Sequence, residues 1–449
     1  MTKLYKPLFS DKAQGTLGGT LTYRAQKYGP SVGVRHRYTP KPSAAQSSRR
    51  DLFRSACAVW QNLSAAEKQS YSDNAPSGLS GFQYYLKIKI SQADPGVGPF
   101  AFSVTGTIDS SKIDSTLSWF PLPLPLGASV GLSSADLSLI FDEIGDNYMK
   151  LGVYQSDNET QLYVEVEYWD AANKNALLWV SRSGWSVPAG SDYNFKLCFD
   201  SSVADNLDFV GIAGARPEVW NSDFLAVYTM AQDPSGGSNC VIDSSGNGHH
   251  ASPHGAMTSD NLTDGLIGKA LNFDGIDDYL SIGEKLLYDL PNLSISCFLK
   301  IKSYNEDSAV CIYRENDYGW NGHGVEFLVR GSNQLLYLIP SDGYPPAPLS
   351  VGSLNTISTG LWSHCCASRC YNGNAKAYLS GFLENTASQN NNLISSNIPG
   401  IIAWYDNTTG IPDYNDISIN FLSLYKTIIS AAWVKAEFNA QSDNLISWS

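Results

Sequence analysis

Apolar and polar positions alternate along most of this chain, and the alternation has a period of two. In Gln161–Trp169, Leu162, Val164 and Val166 share one side, and Tyr163, Glu165 and Glu167 share the other. That is a half-buried strand. The same pattern predicts strands over 102–108, 137–141, 151–154, 162–169, 176–180, 193–199 and 224–230. Further on it predicts strands over 293–301, 309–313, 325–329, 334–339, 362–366, 375–379 and 417–425. Helical spacing is confined to short stretches. Leu52, Phe53, Ala56, Cys57 and Trp60 recur every three to four residues, and Ser64-x-x-Glu67 reads as a capping box opening a second helix. A short helix or strand is expected around Phe82–Leu86. An amphipathic helix is expected from Ser430, with Trp433 and Phe438 near one side. Residues 15–38 read as a hairpin turning at Lys27-Tyr28-Gly29-Pro30, with Pro40 and Pro42 ending it.

The expected fold class is mainly β: two jelly-roll-like β-sandwich domains behind a small α+β N-terminal module. The expected boundaries are 1–95, 100–232 and 233–449, with a Gly/Pro-rich linker at 91–100. The 449 residues suffice for about three domains. Only 16 % of them are charged, and Gly, Tyr and Trp are plentiful, as in a turn-rich β protein. No apolar run is long enough to cross a membrane as a helix. The start of the sequence lacks an apolar signal core, so production in a reducing cytosol is expected. Eight cysteines are then read as buried free thiols. Cys365 and Cys366 with His364 and Cys370 hint at zinc, but adjacent strand residues point to opposite faces, which argues against it.

Charge separates the first module from the rest. The net charge is −13, yet residues 1–90 hold 14 Lys or Arg against only four acids. Nucleic acid is an unlikely partner, since no recognition motif accompanies these basic residues. Docking onto another protein is the expectation, with Arg24, Lys27, Arg35, Arg37, Arg49 and Arg50 as candidate contacts.

Three stretches of this first module, KPLFSDKAQGTLGGTLTYR, RDLFRSACAVWQNLSAAEKQSY and GLSGFQYYL, resemble the N-terminal module of phage and prophage structural proteins. The resemblance implies assembly into a virion, as one of many copies held by other virion proteins through residues 1–95. The segments IDSSKIDSTLSWFPLPLPL and VWNSDFLAVYTMAQDPSGG resemble uncharacterised extracellular β domains that precede a lectin-like module. Residues 233–445 carry DSSGNGHHA, GKALNFDGIDDYL, a Trp-x-His and a terminal AEFN. These marks resemble the concanavalin-like, laminin-G-like jelly roll, a family of lectins, adhesion modules, enzymes and passive spacers.

Calcium is the cofactor these loops suggest, with Asp243, Asn247, Asp274 and Asp277 as candidate ligands. The opposing reading is that these residues only shape turns. Glycan recognition needs loop aromatics with polar neighbours. The candidates are Tyr318, Trp320, Asn321, His323, Tyr344, Trp404 and Tyr405. Enzymatic activity is not expected. Glu326 stands alone in its strand, and Glu165 with Glu167 reads as a solvated strand face. No nucleophile elbow, zinc-protease motif or phosphate loop appears. The sequence therefore reads as a non-enzymatic virion protein displaying two sandwiches outward and aiding attachment to host glycan. With no heptad or short repeat, decoration or a compact appendage is favoured over a fibre shaft. The runner-up is an extracellular lectin-like protein with no virion role.

Overall fold

The computed structural model describes residues 15–17, 21–26, 29–34, 44–73, 75, 79–91, 94–95, 97–211, 215–282, 286–287, 290–303, 307–314, 323–342, 350–371, 373–388, 400–406, 412–414 and 416–449. Its contacts divide the chain into two units, Met1–Ser47 and Ser48–Ser449. The first unit holds a three-stranded antiparallel sheet of Gly15–Leu17, Leu21–Gln26 and Gly29–Val34. The division falls inside the expected first module, near the start of its first helix.

The second unit begins with helices. Ala44–Asn62 runs across the boundary, and Ala65–Asp73 and Gly81–Ser91 follow. The capping box forms. The Ser64 backbone N–H donates to Glu67 Oε2 at 2.7 Å, and the Glu67 N–H donates to Ser64 Oγ at 3.3 Å. Trp60 touches the rings of Tyr71, Phe82 and Tyr85, which makes a small aromatic core.

Residues 94–211 supply eight strands of a nine-stranded sheet that turns a corner, and Ile446–Trp448 supplies the ninth. Leu151–Tyr154 and Gln161–Asp170 share only two register pairs, and there the sheet folds over on itself. Leu124, Val153, Leu162, Val164, Leu178 and Leu197 fill the space between the layers. One expected strand is a helix. Leu137, Ile140, Phe141 and Ile144 follow a helical spacing, the Asp136 carboxylate accepts the Ser138 N–H at 2.9 Å, and Ser138–Ile144 coils until Gly145 stops it with φ 57°. Alternation over five residues could not separate the two periods.

The third region is a two-sheet sandwich. One sheet runs Leu262–Asp264, Lys269–Asn272, Ile417–Tyr425, Asn292–Ile301, Trp362–Cys370, Asn374–Leu379 and Phe382–Ser388, with Phe224–Tyr228 also paired to Ile417–Tyr425. The other runs Ala251–His254, Tyr279–Ile282, Gly400–Ile402, Asp307–Arg314, His323–Arg330, Leu335–Asp342 and Val351–Gly352. Leu271, Ile295, Phe327, Leu338, Ala367 and Ile419 lie in the core between them. The protein is thus mainly β, as expected.

The chain does not stay within consecutive modules. Ala431–Gln441 forms the expected helix, capped by Ser430, whose Oγ accepts the Trp433 N–H at 3.1 Å. Beyond it, Ile446–Trp448 returns to the middle region and pairs with Phe102–Ile108. A third core joins the two sandwiches. It contains Trp179 and Trp220 on one side, and Phe421, Tyr425 and Val434 on the other.

Candidate functional site

The structure separates the four candidate calcium ligands by their chemistry. Asp243 is buried and spends its carboxylate on the turn. Oδ1 accepts the N–H groups of Val227 and Ser245, both at 2.9 Å, and the Ser245 hydroxyl at 2.7 Å. Oδ2 accepts the His249 N–H at 3.0 Å. Asn247 donates its amide to the carbonyls of Phe224 and Leu225, both at 3.0 Å. These two residues shape the turn. His250 belongs to the same network, its Nδ1 accepting the Asp243 N–H at 3.0 Å.

Asp274 and Asp277 lie together with a third acid, Asp278, and one ligand atom from each falls within 4.8 Å of the others. Asp274 Oδ1 accepts the Ile276 N–H at 2.8 Å, so this carboxylate also shapes its turn. Asp278 is buried, and its Oδ2 accepts from the Asn261 amide at 2.8 Å. Burial raises the Asp278 carboxyl above its usual range, and the neighbouring Asp274 adds to the shift. Asp274 and Asp277 are exposed. Calcium takes about six to eight oxygen ligands, so these three carboxylates would supply only part of its shell.

Of the glycan candidates, Tyr318, Trp320, Asn321 and Tyr344 lie outside the described residues. His323 opens the His323–Arg330 strand opposite Asp342. Trp404 and Tyr405 belong to a two-stranded ribbon, paired with Tyr414 and Asp413. Among the basic candidates, Lys27, Arg35 and Arg37 lie outside the described residues. Arg24 sits in Leu21–Gln26 opposite Ser31. Arg49 and Arg50 lie on the Ala44–Asn62 helix, where Arg50 is exposed.

The most concentrated chemistry lies at the junction of the two sandwiches. The Glu165/Glu167 side of its strand, expected to face solvent, faces the second sandwich instead. Glu165 is 1 % exposed. Its Oε1 accepts from Arg216 Nε at 2.8 Å and Ser244 Oγ at 2.6 Å, and its Oε2 accepts from Trp220 Nε1 at 2.7 Å. Alternation shows that two glutamates share a face. It does not show what covers that face.

A second polar cluster lies under the Ala431–Gln441 helix. The Ser296 hydroxyl stands 3.0 Å from His364 Nε2 and donates to Glu437 Oε2 at 3.0 Å. Glu437 Oε1 accepts from Tyr425 and Gln441, both at 3.4 Å. The sequence hint here was His364, two residues from Trp362. Its partners come from strands and a helix far apart in the chain. Cys365 and Cys366 go to different cores, on opposite faces of their strand. Beside this cluster is a narrow crevice, partly open to solvent, with room for no more than about one water molecule. Phe120, Trp179, Phe421 and Trp433 wall it, and Glu437 and Gln441 line it as well.

No protein-family model matches the sequence, and no curated protein matches it. Solved structures do. Domain 4 of AbnA, an extracellular arabinanase from Geobacillus stearothermophilus in complex with arabinotriose, is 18 % identical with a TM-score of 0.34, over 47 % of this chain and 97 % of that one. The binding domain of botulinum neurotoxin serotype D is 16 % identical with a TM-score of 0.36, over 49 % of this chain and 51 % of that one. A botulinum neurotoxin type C, whose cell entry depends on two ganglioside molecules, is 15 % identical with a TM-score of 0.36, over 49 % and 51 %. The chain spans about half the length of the neurotoxin structures it matches.

Proposed function

We propose that this chain is a non-enzymatic virion structural protein that docks through its basic N-terminal unit and displays an acidic pair of β-sandwiches to a host surface. One observation carries the reading. The division into units coincides with a division of charge. Met1–Ser47 holds eight Lys or Arg and a single acid, Asp11, whereas Ser48–Ser449 holds 22 basic and 42 acidic residues. A compact basic unit is suited to docking on an acidic protein surface, while the acidic unit resists self-association. Many copies on one particle would turn weak glycan contacts into firm attachment.

The test is co-sedimentation of the full chain with purified phage particles. The full chain travels with the particles, and the quadruple variant Arg24→Glu, Lys27→Glu, Arg35→Glu, Arg37→Glu does not. A full chain that stays in the supernatant overturns the docking role. A glycan array probed with the same protein reads the display role, with Trp404→Ala and Tyr405→Ala expected to weaken any signal. Glycan binding without particle association would favour a lectin with no virion role.

A further inference from the structure

Glu165 and Glu167 present two carboxylates to the same junction, and only one of them is compensated. Glu165 has the Arg216 guanidinium and two further donors. Glu167 has one good hydrogen bond, from Trp179 Nε1 to its Oε2 at 2.7 Å. The residue as a whole is half-buried, but its Oε1 is buried without a well-formed hydrogen bond. The backbone N–H of Lys269 lies near the carboxyl and favours its charged form. The second sandwich closes over it. A Cβ on Gly268 would stand 2.6 Å from Glu167 Oε1, and Gly268 has φ +63°. Glycine is therefore what lets the backbone approach this carboxyl.

The charged and titratable groups around Glu167 are engaged elsewhere. On its own strand are Tyr163, which lies under the Arg182 guanidinium, and Glu165, Tyr168 and Asp170. The Arg216–Val219 helix supplies Arg216, which is spent on Glu165. The Lys269–Asn272 strand supplies Lys269. Its Nζ pairs with Asp264 at 2.7 Å and lies 5.6 Å from the centre of the Tyr168 ring. Among the described residues no ion pair reaches Glu167; the nearby cations pair with Glu165 and Asp264.

We propose that Glu167 is a proton-operated latch between the two sandwiches: its protonated carboxyl lets the junction close, and loss of that proton sets a second negative charge beside Glu165 and loosens it. The carboxyl gives its proton to water and regains it from water, so the step needs no other reactant. Burial pushes the Glu167 carboxyl well above its usual range, and the charge of Glu165 pushes the same way. The Trp179 hydrogen bond and the Lys269 amide act in the opposite sense. A raised carboxyl makes the folded state bind more protons than the unfolded one. Its contribution is full below the ordinary glutamate value of about 4.3. It declines as pH rises towards the folded value and is gone above it.

The experiment is the melting temperature of the full chain against pH, from about 5 to about 9, which spans the range documented for buried glutamic acids. The wild type loses several degrees as pH rises, and Glu167→Gln, which carries no proton to lose, loses fewer. Parallel profiles for the two proteins overturn the proposal. Infrared spectroscopy of the wild type is the second measurement, in case the variant does not fold. A protonated carboxylic acid band persists at neutral pH and disappears on alkaline titration, in step with a change in tryptophan fluorescence. A wild type with no such band at neutral pH also overturns it.

Discussion

Trp448 sets its ring edge-on to Phe195, with 5.5 Å between centroids, so a residue from the far end of the sequence completes the core of the middle sandwich. Trp448 is 5 % exposed, and its strand adds to Phe102–Ile108. Trp448→Ala is expected to cost about 3–5 kcal/mol, the usual loss for a buried tryptophan. Thermal unfolding of the full chain measures it.

Removing residues 430–449 should destabilise both sandwiches. Trp433 packs against Phe120 of the middle region at 4.9 Å, and Phe438 stacks over Phe298 of the second sandwich at 6.3 Å. Calorimetry of the truncated chain should show every transition lowered. An unchanged melting profile would mean that the helix is an ornament.

Arg216 holds the only guanidinium bonded to Glu165 among the described residues. Arg216→Ala leaves a buried carboxylate without its cation, at a cost of about 3–5 kcal/mol. Urea denaturation followed by tryptophan fluorescence reads it directly, because Trp220 donates to the same carboxylate.

Calcium should distinguish the two aspartate turns. Any calcium-dependent rise in melting temperature disappears in Asp277→Asn and persists in Asp243→Asn. The second variant melts lower with or without the ion, because Asp243 holds three donors of its own turn and the Val227 N–H of a neighbouring strand. Melting curves in EDTA and in added calcium separate the two effects.

Gly106 faces the Phe195 ring so closely that an added Cβ would stand 2.2 Å from it. Gly106→Ala must move a fully packed aromatic, and overpacking of that kind costs about 1–3 kcal/mol. The melting temperature falls accordingly, and Phe195→Leu in the same chain recovers part of the loss.

The strands were legible because their alternation is local. Leu162, Val164 and Val166 declare an inner face whatever lies opposite, and all three are buried. The capping box at Ser64 and Glu67 was legible for the same reason. What covers an outer face is a tertiary fact. Nothing near Glu165 in the chain announces Ser244, and nothing near Ser296 announces Glu437. The helix at Ser138–Ile144 was misread because Leu137, Leu139 and Phe141 also alternate. The calcium candidates divided on a similar point. Asp and Asn in a glycine-rich turn carry the same letters whether they bind an ion or their own backbone, and Asp243 binds its own backbone.

The pairing of Ile108 with Ile446 also bears on how the molecule is made. A ribosome delivers the edge of the middle sheet early and its closing strand only after the whole second sandwich has been synthesised. Until then the Gly106–Ile108 end of that strand offers a bare margin to any passing nascent chain, a hazard that favours chaperone cover during translation. Maturation of this protein is accordingly a closing of a loop, in which the first sandwich begun is the last one finished.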